Sequence, residues 1–149
     1  MSLRSHIHVL VEIWCARLRG LMWVRPEATE LISALAAIAW AVSVWSDPSG
    51  IALSSSYQIL IGWAQPPVWV VLFGLLGAMQ ISALLSWSCR YRLAASLIGV
   101  IAWGCMGAAV AVAAPSVPTG WVYLTLALAC VWAALQISYH HGRLGGGCA

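Results

Sequence analysis

Residues with reactive side chains are few and scattered. The 149-residue chain has seven basic residues, all Arg, four acidic residues (Glu12, Glu27, Glu30 and Asp47), four His and five Cys. His140 and His141 are adjacent, and neighbours on a helix do not share a face, so they make no chelating pair. His6 and His8 fall on different sides of a helix and read as polar residues at headgroup level. Cys15, Cys89, Cys105, Cys130 and Cys148 form no C-x-x-C pair and have no zinc-ligand spacing. Cys105 and Cys130 lie inside apolar runs, where Cys acts as a small hydrophobe, and all five read as unpaired thiols. No Ser, His and acidic residue assemble into a triad, and there is no phosphate loop. The sequence therefore assigns no catalytic residue, no metal ligand and no cofactor site, and it reads as a non-enzyme.

What the chain has instead is apolar mass. Apolar residues make up 62% of it and charged residues 7%, against about 25% charged in soluble domains. Such a surface cannot be wetted by water. The composition excludes an ordinary soluble domain and a disordered segment. A net charge of +3 without a clustered basic stripe excludes nucleic acid as a partner. The remaining class is an all-α membrane protein whose first partner is the lipid bilayer.

The elements follow from periodicity and punctuation. Residues 1–25 predict an amphipathic helix lying in the membrane interface: Leu3, Ile7, Leu10, Val11, Trp14, Leu18, Leu21 and Met22 share one side. Arg4 and Arg17 flank that stripe and reach headgroups. Residues 26–139 predict a transmembrane domain with spans over 28–46, 67–88, 93–114 and 120–138, each near the ~20 residues needed to cross the hydrocarbon. Pro26 starts the first span, with Glu27 and Glu30 in its first turns, where the helix dipole favours negative charge. Asp47-Pro48-Ser49-Gly50 ends it with turn chemistry. Residues 51–64 are too short to cross and read as a second interfacial helix, capped by Ser55 or Ser56 and carrying Tyr57 and Trp63 at headgroup level. Pro115 to Thr119 makes a tight turn, so spans three and four are antiparallel neighbours. Residues 140–149 form a Gly-rich tail.

Arginine placement sets the orientation. Arg4, Arg17, Arg19 and Arg25 precede the first span, Arg90 and Arg92 follow the second, and Arg143 follows the fourth. All seven fall on one side of a four-span topology, which the positive-inside rule makes cytoplasmic. The expected location is a bacterial inner membrane, multi-pass, with both termini inside. Trp14, Arg17, Arg25, Arg90 and Arg92 are the expected membrane-interface residues.

Within the spans, small residues mark candidate packing faces, because helices in lipid associate through close van der Waals approach. Gly74, Ala78 and Ser82 recur at every fourth position of span two, and Gly104, Gly107 and Ala108 lie together in span three. The economical fold is an antiparallel four-helix bundle. Gln80 and Gln136 are the strongest polar groups inside the spans, and an interhelical hydrogen bond is their simplest use. No carboxylate lies in the middle of a span; Glu30 is nearest, at the edge of the first, so proton-coupled transport has no evident carrier.

Several segments together resemble a known group: Ser56-Tyr57, Pro67-Val68-Trp69, Gly74 to Gln80, Arg90-Tyr91-Arg92-Leu93-Ala94-Ala95, Trp103, Ala114-Pro115, Thr119-Gly120, Tyr123 and Trp132-Ala133. Over about residues 28–137 they are similar to small four-span membrane proteins of tailed bacteriophages and prophages. The resemblance implies a holin-like lysis protein, an enzyme-free protein that accumulates in the host inner membrane and clusters into oligomeric lesions. Met22 would serve as an internal start that deletes the amphipathic helix. The alternative is a structural or interaction subunit: a virion or ejection component, an exclusion factor, or an accessory subunit of a larger membrane complex. The first reading expects self-association, the second a membrane-protein partner.

Overall fold

The computed structural model describes residues 26–86 and 88–143. The expectations for the amphipathic segment, with Trp14, Arg17 and Arg25, lie outside the described residues, as does the end of the tail. Among the described residues there is no strand. The elements are α1 (Pro26–Ser46), α2 (Pro48–Leu53), a 3-10 turn (Ser55–Tyr57), α3 (Gln58–Trp63), α4 (Pro66–Leu85), α5 (Cys89–Ala113) and α6 (Thr119–Arg143). Four of them, α1, α4, α5 and α6, are long and apolar enough to cross a membrane. At about 1.5 Å per residue, the shortest of these four covers about 30 Å. The described residues are thus helical throughout their regular structure, and their four long apolar helices are those of a multi-pass membrane protein.

Local chemistry explains the ends. Proline opens α1, α2 and α4, where its missing N–H costs nothing. Asp47 caps α2: its Oδ1 accepts from the Gly50 N–H at 3.0 Å and from Ser49 Oγ at 2.6 Å. The Ser49 hydroxyl, then the Gly50 amide, hold the Asp47 carboxyl below its ordinary range. A lowered folded pKa means that this cap stabilises above the ordinary aspartate range and is lost as pH falls through the folded value.

The turn between α4 and α5 falls earlier than the apolar pattern predicts. α4 stops at Leu85, and Ser88 caps α5, its Oγ accepting from the Tyr91 N–H at 3.4 Å. Arg90 and Arg92 therefore sit in the first turn of α5 rather than in a loop. At the far end α6 runs on past Ser138 to Arg143. The segment over 51–64 is not one helix but two short ones around the 3-10 turn, and neither Ser55 nor Ser56 supplies a capping side chain: the 3-10 turn and α3 both begin without a side-chain cap bond. It lies against the bundle through buried Leu60 and Ser56.

The long helices form two pairs. α1 packs mainly on α4, and α5 mainly on α6. Glycine sets the closeness of each pair. A Cβ at Gly77 would lie 2.5 Å from Ile38 Cγ1 and 2.9 Å from the Ala34 carbonyl oxygen on α1. One at Gly107 would lie 2.9 Å from the Leu124 backbone nitrogen on α6. A chain of aromatic rings then ties the pairs together. Trp40 meets Phe73 with centroids 4.6 Å apart, Phe73 meets Trp103 at 5.0 Å, and Trp103 stacks on Tyr123 at 5.6 Å. Each ring comes from a different long helix.

Packing makes a testable contrast between two glycines of α4. Gly77→Val forces α1 and α4 apart and should cost about 1–3 kcal/mol, the usual penalty of overpacking. Gly74 has nothing within 4 Å of its Cβ position, so Gly74→Ala should be neutral or stabilising by up to about 1 kcal/mol through helix propensity. Thermal or denaturant unfolding of the detergent-solubilised protein measures both.

Candidate functional site: a polar seam inside and small-residue faces outside

The buried polar groups collect where the two helix pairs meet. Arg92, in the first turn of α5, reaches α1. Its Nε donates to Glu30 Oε2 at 3.1 Å, its Nη2 donates to the same oxygen, and Nη1 and Nη2 donate to Glu27 Oε1 at 3.3 Å. Ser96, one helical turn further along α5, donates to Glu30 Oε1 at 3.3 Å. The Glu30 side chain is 5% exposed and that of Arg92 15%, whereas that of Glu27 is 52% exposed. Two charges taken out of water so completely survive only with good geometry and extra hydrogen bonds, and Ser96 and Glu27 supply them.

Below this ion cluster the seam continues with neutral groups. Ser33, on the same face of α1 as Glu30, is fully buried. Its Oγ accepts from the Trp103 indole N–H at 3.0 Å and from the Cys130 thiol at 3.3 Å. One serine thus joins α1 to α5 and to α6. Gln80 of α4 is 2% exposed and lies beside Gly99 of α5 and Cys130 of α6. At the opposite end of the bundle the Tyr57 and Tyr123 hydroxyls meet at 2.8 Å, and the Trp69 indole N–H donates to the Leu60 and Ala64 carbonyls at 3.1 and 3.0 Å.

The residues singled out from the sequence fall into two sets. Gln80 and Gln136 are buried, as polar residues in spans must be. Gly107 is internal, packed on Leu124. Gly74, Ala78, Ser82, Gly104 and Ala108 do not pack the bundle. No atom lies within 4 Å of a Cβ at Gly74 or Gly104, and Ala78, Ser82 and Ala108 are exposed. Ser82 does touch a neighbour, its Oγ lying 2.7 Å from the Tyr91 hydroxyl. Between α5 and α6 lies an apolar groove of about 430 Å³, lined by Gly104, Val100, Trp121, Leu128 and Val131 among others. Arg90 is exposed, as an interface residue should be, but Arg92 is not: it turns inward to Glu30 instead of outward to headgroups.

Several contacts escape sequence reasoning. It does not pair Arg92 and Ser96 with Glu30, because nothing local links residues 62 and 66 apart. Gly77 and Gly99, the glycines that admit Ile38 and the Gln80 amide, were passed over for the more regular line at Gly74. The reading of all cysteines as unpaired is also corrected: Cys105 and Cys130 are free thiols, whereas Cys89 is disulfide-bonded.

No family model, no curated protein and no solved structure matches this chain. Among the described residues no group of three or more His, Cys, Asp or Glu stands ready to hold a metal.

The ion cluster predicts a strong asymmetry between single and double substitutions. Arg92→Met strands Glu30 and should cost about 3–5 kcal/mol, while Glu30→Gln, which leaves Arg92 only the half-exposed Glu27, should cost less. The double variant Glu30→Gln with Arg92→Met should recover most of that loss. A double-mutant cycle by unfolding in detergent checks it.

Proposed function

We propose that this protein acts by lateral association in a membrane, as a holin-like protein whose clusters breach the bilayer of a bacterial host. The observation that carries the reading is the outward line Gly74, Ala78 and Ser82. Among the described residues Gly74 meets no atom at its Cβ position, Ala78 is exposed, and Ser82 gives only a hydroxyl contact to Tyr91, although close backbone approach is what drives helix association in lipid. The groove at Gly104 offers a second smooth surface on the far pair. The resemblance to small four-span phage proteins supports the same reading, and the amphipathic pattern of residues 1–25 and the short helices α2 and α3 fit interfacial segments flanking the spans.

The second reading, a structural or interaction subunit, uses the same outward faces for a different membrane protein. The exposed Trp45, Trp63 and Trp121, with Leu53 and Leu85, fit either a lipid or a protein surround. The seven arginines support a cytoplasmic location for the end that bears Arg90, Arg92 and Arg143. Reporter fusions after Gly142 test it: cytoplasmic activity agrees with the arginines, and external activity contradicts them.

Expression from an inducible promoter in a bacterial host separates the two functions. A holin-like protein gives delayed, abrupt loss of membrane potential, and lysis when an endolysin is co-expressed. Gly74→Ile with Ala78→Leu, which meet open space in the bundle, should abolish that loss while leaving membrane insertion and thermal stability intact. Continued growth with intact potential despite confirmed insertion contradicts the holin-like reading and turns attention to captured partners.

A further inference from the structure

Gln80 poses a problem that the bundle itself does not solve. Its side-chain Oε1 is fully buried and accepts no hydrogen bond. In a hydrocarbon environment such an orphan costs several kcal/mol. The Cys130 thiol, which packs against the same Gly99 position as the Gln80 amide, already donates to Ser33 Oγ, and that oxygen also holds the Trp103 indole N–H. Gly99 leaves the amide its place: a Cβ there would come 2.6 Å from Gln80 Nε2.

The surroundings of Gln80 are graded. Towards the basic end lie Ser33, Ser96, Glu30 and Arg92, a succession of hydroxyl and charged groups that ends at partly exposed Arg92 and exposed Glu27. Towards the other end lies the tilted pair Phe73 and Trp103, 2% and 0% exposed, backed by Val110 and Met106. The polar groups thus occupy one half of the seam and an aromatic barrier closes it. By helix rise, Ser33 is about 10 Å along α1 from Pro26, well below the headgroups of a bilayer. Polar side chains that face the interior of a bundle at such depth mark paths for water and ions, and a buried water characteristically satisfies polar groups left unpaired.

We propose that the basic half of the seam is hydrated: water enters beside Arg92 and Ser96, reaches Gln80 and donates to its Oε1, and Phe73 with Trp103 stops it there. Each protomer then carries a closed half-channel for water and protons, separate from any lesion formed between copies. This inference rests on the interior of one chain and stands whether or not the protein self-associates.

The test uses the full-length protein in liposomes. Water-edited solid-state NMR reads polarisation transfer from water to labelled side chains. The Gln80 amide and Ser33 should receive it as readily as the exposed Arg90, while Phe73 and Ala37 stay dry. Gln80→Leu, which removes the acceptor at similar size, should abolish the transfer to Gly99, which packs on the amide, and leave that to Ser96 unchanged. A Gln80 amide as dry as Phe73 in the folded wild type overturns the proposal. A second measurement opens the barrier. Phe73→Ala should let protons leak into vesicles loaded with a pH dye at a protein density where wild type does not, and Gln80→Leu in the same protein should suppress the leak. A leak that persists undiminished in the double variant, or no leak in a folded Phe73→Ala protein, overturns the assignment of the path.

Discussion

A carboxylate and a guanidinium, buried together between α1 and α5, fix how the two helix pairs meet. Lipid offers no hydrophobic force between helices, so within the bilayer specificity has to come from close packing and from polar groups that must be satisfied. Here the two are divided by location. Glycine contacts at Gly77 and Gly107 set the spacing within each pair. Polar contacts act between the pairs: Arg92 to Glu30, Ser96 to Glu30, Trp103 and Cys130 to Ser33, Tyr57 to Tyr123. Sliding one pair against the other by a helical turn would strand the Glu30 carboxylate, the Arg92 guanidinium and the Ser33 hydroxyl at once. A buried pair is weak evidence for added stability but a strong constraint on register.

Among the described residues this division leaves the outer faces of the bundle uncovered. The residues that hold it together point inward, and the outer surface is apolar apart from its ends, with small-residue lines on α4 and α5. A unit built in this way can meet lipid, a second copy or another membrane protein without rearranging its core. The interior is not uniformly apolar either, since one half of the seam carries hydroxyls and charges while aromatic rings close it off. Lateral association and the interior path are separate properties, because one belongs to the faces of α4 and α5 and the other to the seam.

The spans, their number and the polar character of Gln80 and Gln136 were legible in the sequence, because length and hydropathy suffice to mark a crossing helix and a buried amide is conspicuous there. Their faces were not. A helix such as α4 is apolar all round, so periodicity does not say which side turns inward, and Gly74 and Gly77 are equivalent until a neighbour arrives. The turn at Ser86 to Ser88 was hidden because Ser88, a capping residue, follows an apolar run without a proline or glycine break. Arg92 was read as a headgroup anchor because that is where arginine usually sits near a span; only the fold brings Glu30 within its reach.

The most direct test of the central claim, that the outward line on α4 is a surface for other copies, is cysteine cross-linking in native membranes. Ala78→Cys, in a protein with Cys105 replaced, should form covalent dimers on mild oxidation. Val42→Cys, on the exposed side of α1, should give far fewer. Equal cross-linking at both positions, or monomer alone at position 78, would contradict it.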